Sequence, residues 1–246
     1  MIIGIVVALP EELGTLTSKI IERGHCVFIS DKVLVAYSGA GPVNAQTAAE
    51  QLVSRGATRL ISWGCAAALD SSLKPGDLTL ADSLIDTDKV RLDIASDWHS
   101  HTRNILSAHA AVHTGCLAES HQIVSSGKDK KQLHAKTGAI ALDMESVAVA
   151  KIARQHTLPF LAIRAIVDPV NMNLPEAINR SLNAQGDVVI SRLLMFITFH
   201  PTELPGLIKL GLHFNAAKNK LKLVAQQLDI ISDFGQSSII AQSLHE

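Results

Sequence analysis

The sequence predicts an α/β fold: a single domain with a mixed central β-sheet flanked by helices, joined to a C-terminal helical extension. Three observations carry this. Short aliphatic runs alternate with helical stretches, the pattern of a parallel or mixed sheet wrapped on both faces. Hydrophobic residues make up 47% of the chain and aromatic ones only 4%, and this Ile/Val/Leu/Ala bias suits strands buried on both sides. Gly- and Pro-containing turns punctuate the runs. A chain of 246 residues has room for one sizeable core. The expected division is residues 1–200 for the α/β domain and 201–246 for the extension.

The elements follow in order. Residues 2–8, "IIGIVVA", form a continuous aliphatic run and read as a buried first strand. Glu11 and Glu12 then open a helical stretch expected to reach about Arg23. One or two strands fill 25–37, ending at "SGAGPV", where Gly39 and Gly41 permit a tight turn and Pro42 suits the first turn of a helix. "TRLISWG" reads as a short strand that ends in a small-residue loop, "GCAAAL", at 64–69. "LKPGD" is a turn and "LTLADSLI" a strand. Residues 86–120 are polar, with a helix expected near 100–112. "HQIVSSG" resumes a strand, a lysine-rich helical piece follows, and "AIAL" is a short strand before a helix at 145–156. "PFLAIRAIV" is the last strand.

Several function classes drop out. A net charge of −1 sets up no global field for nucleic acid. Cys26, Cys65 and Cys116 are far apart and odd in number, which fits a reducing cytosol and an inert buried thiol at Cys65. The N-terminal run lacks a basic leader and a cleavage site, and "LLMFITF" is too short to span a bilayer. A cytoplasmic protein is expected. His99/His101 and His109/His113 have spacings a metal can use, but nothing nearby completes a ligand set, so no metal is expected. Neither the dinucleotide nor the P-loop glycine motif is present.

In βαβ units the loops leaving the strands share the carboxyl edge of the sheet, where ligands bind. That edge is expected to collect Glu12, the Ser38–Gly41 turn, the Gly64–Ala66 segment, Asp143 and Glu145 at a helix entry, and Asp168 at the end of a strand. Taken singly, each has an ordinary explanation. Glu145 suits a helix start by up to about 1 kcal/mol, and Asp168 before Pro169 is a common turn pair. Their co-occurrence on one edge is what favours a site.

The motifs "IGIVVALPEEL", "SGAGPVNAQTAAEQL", "GCAAALDSSLKPGDLTLAD", "ALDMESVAVA" and "PFLAIRAIVD", in this order, resemble the purine nucleoside phosphorylase and methylthioadenosine nucleosidase superfamily over residues 2 to about 170. "KKQLHAKTGAIALDMES" and "HPTELPGLIKL" are most similar to its hopanoid-associated phosphorylases, a subgroup implicated in removing adenine from adenosylhopane. The resemblance implies roles. Asp168 would protonate or hydrogen-bond the leaving purine, Glu145 would bind the ribose hydroxyls, and Met144 beside Asp143 would pack on the sugar. Glu12 would activate water, and Gly64, Cys65 and Ala66 would line the anion or water side. Ser38, Gly39 and Gly41, or Arg91, are candidates to hold phosphate.

These residue types suit the chemistry. Breaking an N-glycosidic bond builds positive charge on ribose and negative charge on the base. A free aspartate, with a pKa of about 3.9, is ionised at neutral pH, so Asp168 needs burial to act as an acid. Glu145 needs the opposite state. The chain departs from the family pattern at Val167, where Ser or Thr is usual, and in having no aromatic after "IVSSG". The expected reaction is adenine release from a 5′-substituted adenine nucleoside, by phosphorolysis or hydrolysis, with adenosylhopane the leading substrate. Methylthioadenosine/S-adenosylhomocysteine nucleosidase or general purine nucleoside phosphorylase activity is the alternative, and a non-catalytic nucleoside-binding protein the rival of another class. No cofactor is expected, with phosphate as a candidate co-substrate. A homo-oligomer is expected from the resemblance.

Leu207, Leu210, Phe214, Ala217, Leu221, Val224 and Leu228 form an apolar stripe in the C-terminal segment, accompanied by Lys209, Lys218, Lys220 and Lys222. The stripe either packs on the domain or a partner subunit, or lies on an anionic membrane at the inner face.

Overall fold

A computed structural model describes residues 1–181, 183 and 189–234. The last part of the expected extension, 235–246, lies outside these. Among the described residues eleven strands form one sheet, in the order β2-β3-β1-β4-β10-β9-β6-β7, with β11 beside β4 and β5, and β8 beside β5. The strands are β1 Ile3–Val7, β2 His25–Ser30, β3 Val33–Tyr37, β4 Arg59–Ala68, β5 Leu78–Leu80, β6 Ser83–Ile85, β7 Arg91–Asp93, β8 Val112–His113, β9 Cys116–Glu119, β10 Ala141–Asp143 and β11 Phe160–Asp168. The principal helices are α1 Pro10–Leu13, α2 Pro42–Ser54, α3 Asp97–Ser107, α4 Gly127–Thr137, α5 Ser146–Gln155, α6 Glu176–Ser181, α7 Ile190–Phe199, α8 Leu204–Ala225 and α9 Leu228–Ser232.

The aliphatic strands are buried on both faces, as their composition requires. Side chains alternate along β1: Ile3, Ile5 and Val7 enter one apolar cluster and Val6 the other. The same alternation puts Leu60 on one side and Ile61 and Trp63 on the opposite one. Leu52 of α2 and Val149 and Ile152 of α5 fill the first cluster. Ala217, Leu221 and Val224 of α8 fill the second. Gly4 lets α2 approach, because a Cβ there would sit 2.9 Å from the Ala57 Cβ and 3.0 Å from that of Leu52.

β4 is the spine. Its first half pairs in parallel with β1 on one side and β11 on the other, and its end pairs antiparallel with β10. The expected "GCAAAL" loop is therefore mostly strand: Gly64, Cys65 and Ala66 lie inside β4, held by register partners Arg164, Ala165 and Ile166. Small side chains there mark a crowded sheet and not a turn.

Four other boundaries are corrected. The first helix stops at Leu13, well short of Arg23, where Gly14 closes it. "LTLADSLI" divides into β5, which pairs with β11, and β6, which pairs with β9. The strand expected at 121–127 lies earlier, at Cys116–Glu119. Ser126 instead caps α4, its hydroxyl accepting from the Lys128 and Asp129 amides. The third helix starts at Asp97, capped by Ser96, whose hydroxyl accepts from the His99 amide.

The C-terminal stripe covers the domain's own sheet. Ala217, Leu221, Val224 and Leu228 are buried, with Leu210 and Phe214 packed beside them. The outward side of α8 remains apolar, with Ile208 63% and Leu212 66% exposed. Among the described residues no helix is long and apolar enough to cross a membrane.

Candidate active site

The carboxyl ends of β1, β3, β4, β10 and β11 meet in a cluster of buried charge. Glu12 sits in the short α1, directly after β1. Its Oε2 accepts from the Leu9 amide at 3.1 Å, and its Oε1 from the Cys65 amide of β4 at 2.7 Å. Burial pushes Glu12 up to about 7, against the lowering pull of Arg164 and of the Cys65 N–H. Gly64 makes this approach possible: a Cβ there would lie 2.6 Å from Glu12 Oε1 and 2.5 Å from Arg164 Nη1.

Arg164 comes from the middle of β11 and is fully enclosed. Its Nε donates to Asp143 Oδ2 at 2.6 Å, and its Nη2 donates to Ser62 Oγ at 2.6 Å and to Ser146 Oγ at 3.1 Å. Glu145 Oε2 lies 3.8 Å from Nη2. Asp143 also orders the entry to α5, accepting from the Glu145 and Ser146 amides and from the Ser146 hydroxyl. One guanidinium thus serves Asp143, Glu145 and Glu12. Burial alone would lower Arg164, but these three carboxylates carry it above its ordinary value.

Glu145 also accepts from the Gly41 amide at 3.0 Å. Burial raises Glu145, while Arg164 opposes that rise. The expectation that Glu145 and Asp168 are driven in opposite directions is corrected here, since desolvation raises both. Met144 lies half-buried between Asp143 and Glu145. The Ser38–Gly41 turn is differently occupied from an open anion cradle. The Ser38 hydroxyl is shared between the Val7 and Gly39 carbonyls, and Arg23 packs over Gly39. Arg91, on β7 at the end of the sheet, donates to Ser83 and the Thr137 carbonyl. The Cys65 thiol is pushed well up by burial and then by Glu12, which suits an inert group.

Asp168 ends β11. It pairs with Ala67 of β4, whose other side pairs with Leu142, the neighbour of Asp143. The strand register therefore places the acids of β10 and β11 on the two flanks of one strand. Asp168 Oδ2 lies 2.6 Å from Lys130 Nζ. Among the described residues Oδ1 is buried without a hydrogen-bond partner. Burial pushes Asp168 up to about 6 in spite of Lys130.

Arg164 and Lys130 escaped the sequence reading. Arg164 carried a signal: a lone cation within the aliphatic run "PFLAIRAIV" must be paired if buried. Nothing separated Lys130 from Lys128, Lys131 and Lys136 in the same helix. Two of the metal-spaced histidines are occupied elsewhere, His99 approaching the Leu80 carbonyl and His101 lying tilted against Phe234. Among the described residues no cluster of His, Cys, Asp and Glu has a metal-binding arrangement.

A buried acid–arginine network at the edge of a mixed sheet, where parallel strands end, defines an α/β protein suited to hold a small polar ligand. The chain belongs to the Phosphorylase superfamily, whose family model matches residues 2–193. The 5′-methylthioadenosine/S-adenosylhomocysteine nucleosidase of Staphylococcus saprophyticus is 31% identical over 198 residues, spanning 68% of this chain and 86% of that protein. The nucleosidase of the same description from Thermotoga maritima is 25% identical over 182 residues, spanning 71% and 82%. Among solved structures, the Helicobacter pylori methylthioadenosine/S-adenosylhomocysteine nucleosidase shares the fold with TM-score 0.69 at 20% identity, covering 94% of this chain and 97% of that one. Helicobacter pylori futalosine hydrolase does so with TM-score 0.68 at 19% identity, covering 94% and 97%.

Proposed function

We propose that the protein is a nucleosidase that cleaves the N-glycosidic bond of a 5′-substituted adenine nucleoside and releases adenine. The observation that carries this reading is the pair of separately housed acids, Glu12 beside Arg164 and Asp168 with a buried, unpartnered Oδ1; burial pushes them up to about 7 and about 6. Asp168 delivers its proton to the purine as the C–N bond breaks and its electron pair leaves with the base. Glu12 takes a proton from water as the water oxygen bonds to the anomeric carbon. Glu145 accepts from ribose hydroxyls and favours the developing cation, and Met144 packs on the sugar. General acid–base help of this kind contributes about 10²- to 10⁴-fold in rate. No organic cofactor enters the scheme.

Water is favoured over phosphate by the charge count. A phosphate beside Arg164 would meet Asp143, Glu145 and Glu12 as well, and the guanidinium already donates to Asp143, Ser62 and Ser146. Adenine release from methylthioadenosine, adenosine and adenosylhopane, each with and without phosphate, tests this. Release independent of phosphate supports it, and strict phosphate dependence overturns the hydrolytic assignment. An Asp168→Asn variant that retains ligand affinity while losing turnover separates an enzyme from a nucleoside-binding module.

A large apolar 5′ substituent such as a hopanoid is favoured by one observation. Leu194, Met195 and Phe199 of α7 and Ile208 and Leu212 of α8 expose apolar surface, suited to an anionic membrane bearing such a substrate or to a second subunit. Faster adenine release from adenosylhopane in vesicles than from methylthioadenosine in solution supports the lipid-linked substrate, and the reverse ranking removes it.

A further inference from the structure

The Lys130–Asp168 pair goes beyond the roles given above. Lys130 is 0% exposed. Its Nζ meets three acceptors: Asp168 Oδ2 at 2.6 Å, the Met172 carbonyl at 2.8 Å and the Pro169 carbonyl at 3.3 Å. Three acceptors match the three donors of an ammonium and exceed the two of a neutral amine. Burying such a cation is costly unless it is paired.

Its placement is built in by several contacts. The start of α4 is pressed against the loop that follows Asp168. The Gly127 amide donates to Asn173 Oδ1 at 2.8 Å, and the Leu174 amide donates to the Ser125 carbonyl at 2.9 Å. A Cβ on Gly127 would fall 2.7 Å from the Val170 carbonyl, so glycine is needed for this close fit. Asp168 is thereby held through one oxygen only, and the other is left buried and unpartnered.

We infer that Lys130 is the positioning residue of the general acid: it clamps Asp168 Oδ2, turns Oδ1 toward the purine, and stabilises the carboxylate left behind once Oδ1 has given up its proton. This rests on the glycosidic-cleavage reading and deepens it. When the proton passes to the base, Asp168 becomes an anion in a desolvated place, where a fixed cation is worth more than in water. The other charged or titratable groups around this end of β11 include Arg164, four residues earlier and paired with Asp143, His213 of α8, against the Val167 backbone with Lys209 nearby, and Asp77, whose carbonyl accepts from the Ile166 amide and whose carboxylate lies 3.6 Å from His113. Lys130 alone contacts the Asp168 carboxylate among the described residues.

The test compares two substrates: methylthioadenosine, whose base needs a proton to leave, and its N7-methylated form, whose base already carries the positive charge. Lys130→Met should slow the first by ~10²-fold, the lower end for loss of acid catalysis, and the second by less than about 3-fold. It should also move the high-pH limb of the methylthioadenosine profile upward, because removing the cation makes Asp168 harder to ionise. Lys130→Gln, neutral but still a donor, should give the same split and carries the test if the Met variant does not fold. Equal slowing of both substrates in a folded variant would mean that Lys130 is a structural strut, and overturns the inference while leaving the nucleosidase reading in place. Base release by the wild-type protein from neither of these nor from adenosylhopane in vesicles overturns the parent reading and this one together.

Discussion

Arg164 and Asp143 form a 2.6 Å ion pair in which both side chains are only 2% exposed. One comes from the middle of β11 and the other from the end of β10, so the pair ties two strands that do not hydrogen-bond to each other. The same guanidinium balances Glu145 and Glu12. Removing one partner of a buried pair costs about 3–5 kcal/mol, since the other charge is stranded. Arg164→Met should therefore lower the unfolding free energy by about that amount at neutral pH, as read by urea denaturation. Unchanged stability would mean that the carboxylates are neutral in the wild-type protein.

The activity profile should be a narrow bell. Glu12 must be ionised to accept a proton, so the rate rises with pH through about 7. Asp168 must be protonated to donate one, so the rate falls as pH rises through about 6. The two requirements oppose each other, and kcat/KM should peak between these values and decline on both sides. A plateau extending past pH 9 would remove Asp168 from the acid role.

Stability should carry the opposite signature. Glu12 binds its proton more tightly folded than unfolded, because its pKa rises from 4.5 to about 7. Its contribution is fully present below the unfolded value and is lost as pH rises toward the folded one. Glu12→Gln removes that loss. Thermal melts should show the variant gaining ~1–3 kcal/mol over wild type at pH 8 and little at pH 4.5, with the upper figure set by 1.36 kcal/mol per pKa unit. Turnover should fall at the same time.

Gly64→Ala puts a methyl group where Arg164 Nη1 and Glu12 Oε1 now come within 2.5 and 2.6 Å of the Cβ position. Shifting either group by an ångström displaces the carboxylate proposed to activate water, and misplacement on that scale costs about 10²-fold in rate. Steady-state kinetics on a variant with a near-native melt would show this, and wild-type turnover would place the reacting water elsewhere.

Much of the sheet was readable because burial on both faces leaves unbroken aliphatic runs. β1 and β11 are such runs, and α5 shows its amphipathic period. The edge that collects the acids followed from strand–helix alternation alone. The failures have local causes. Gly64–Ala66 read as a loop because small residues mark turns, whereas here they make room inside β4 for Glu12 and Arg164. The 121–127 stretch read as a strand on its Ile–Val pair, but Ser126 turns it into a helix cap. Lys130 was invisible, since no local pattern tells which lysine of a helix faces inward. That choice is made by the loop after Asp168, which lies across the start of α4.

Ala67 has Leu142 as its neighbour on one side and Asp168 on the other. On the proposed roles, the acid beside the sugar and the acid beside the base thus flank one strand, each about 4.8 Å from it. Such a ruler does not stretch when surface segments move. On those proposed roles, the span from pentose to purine is set by the sheet, and what is admitted beyond the ribose by the segments around it.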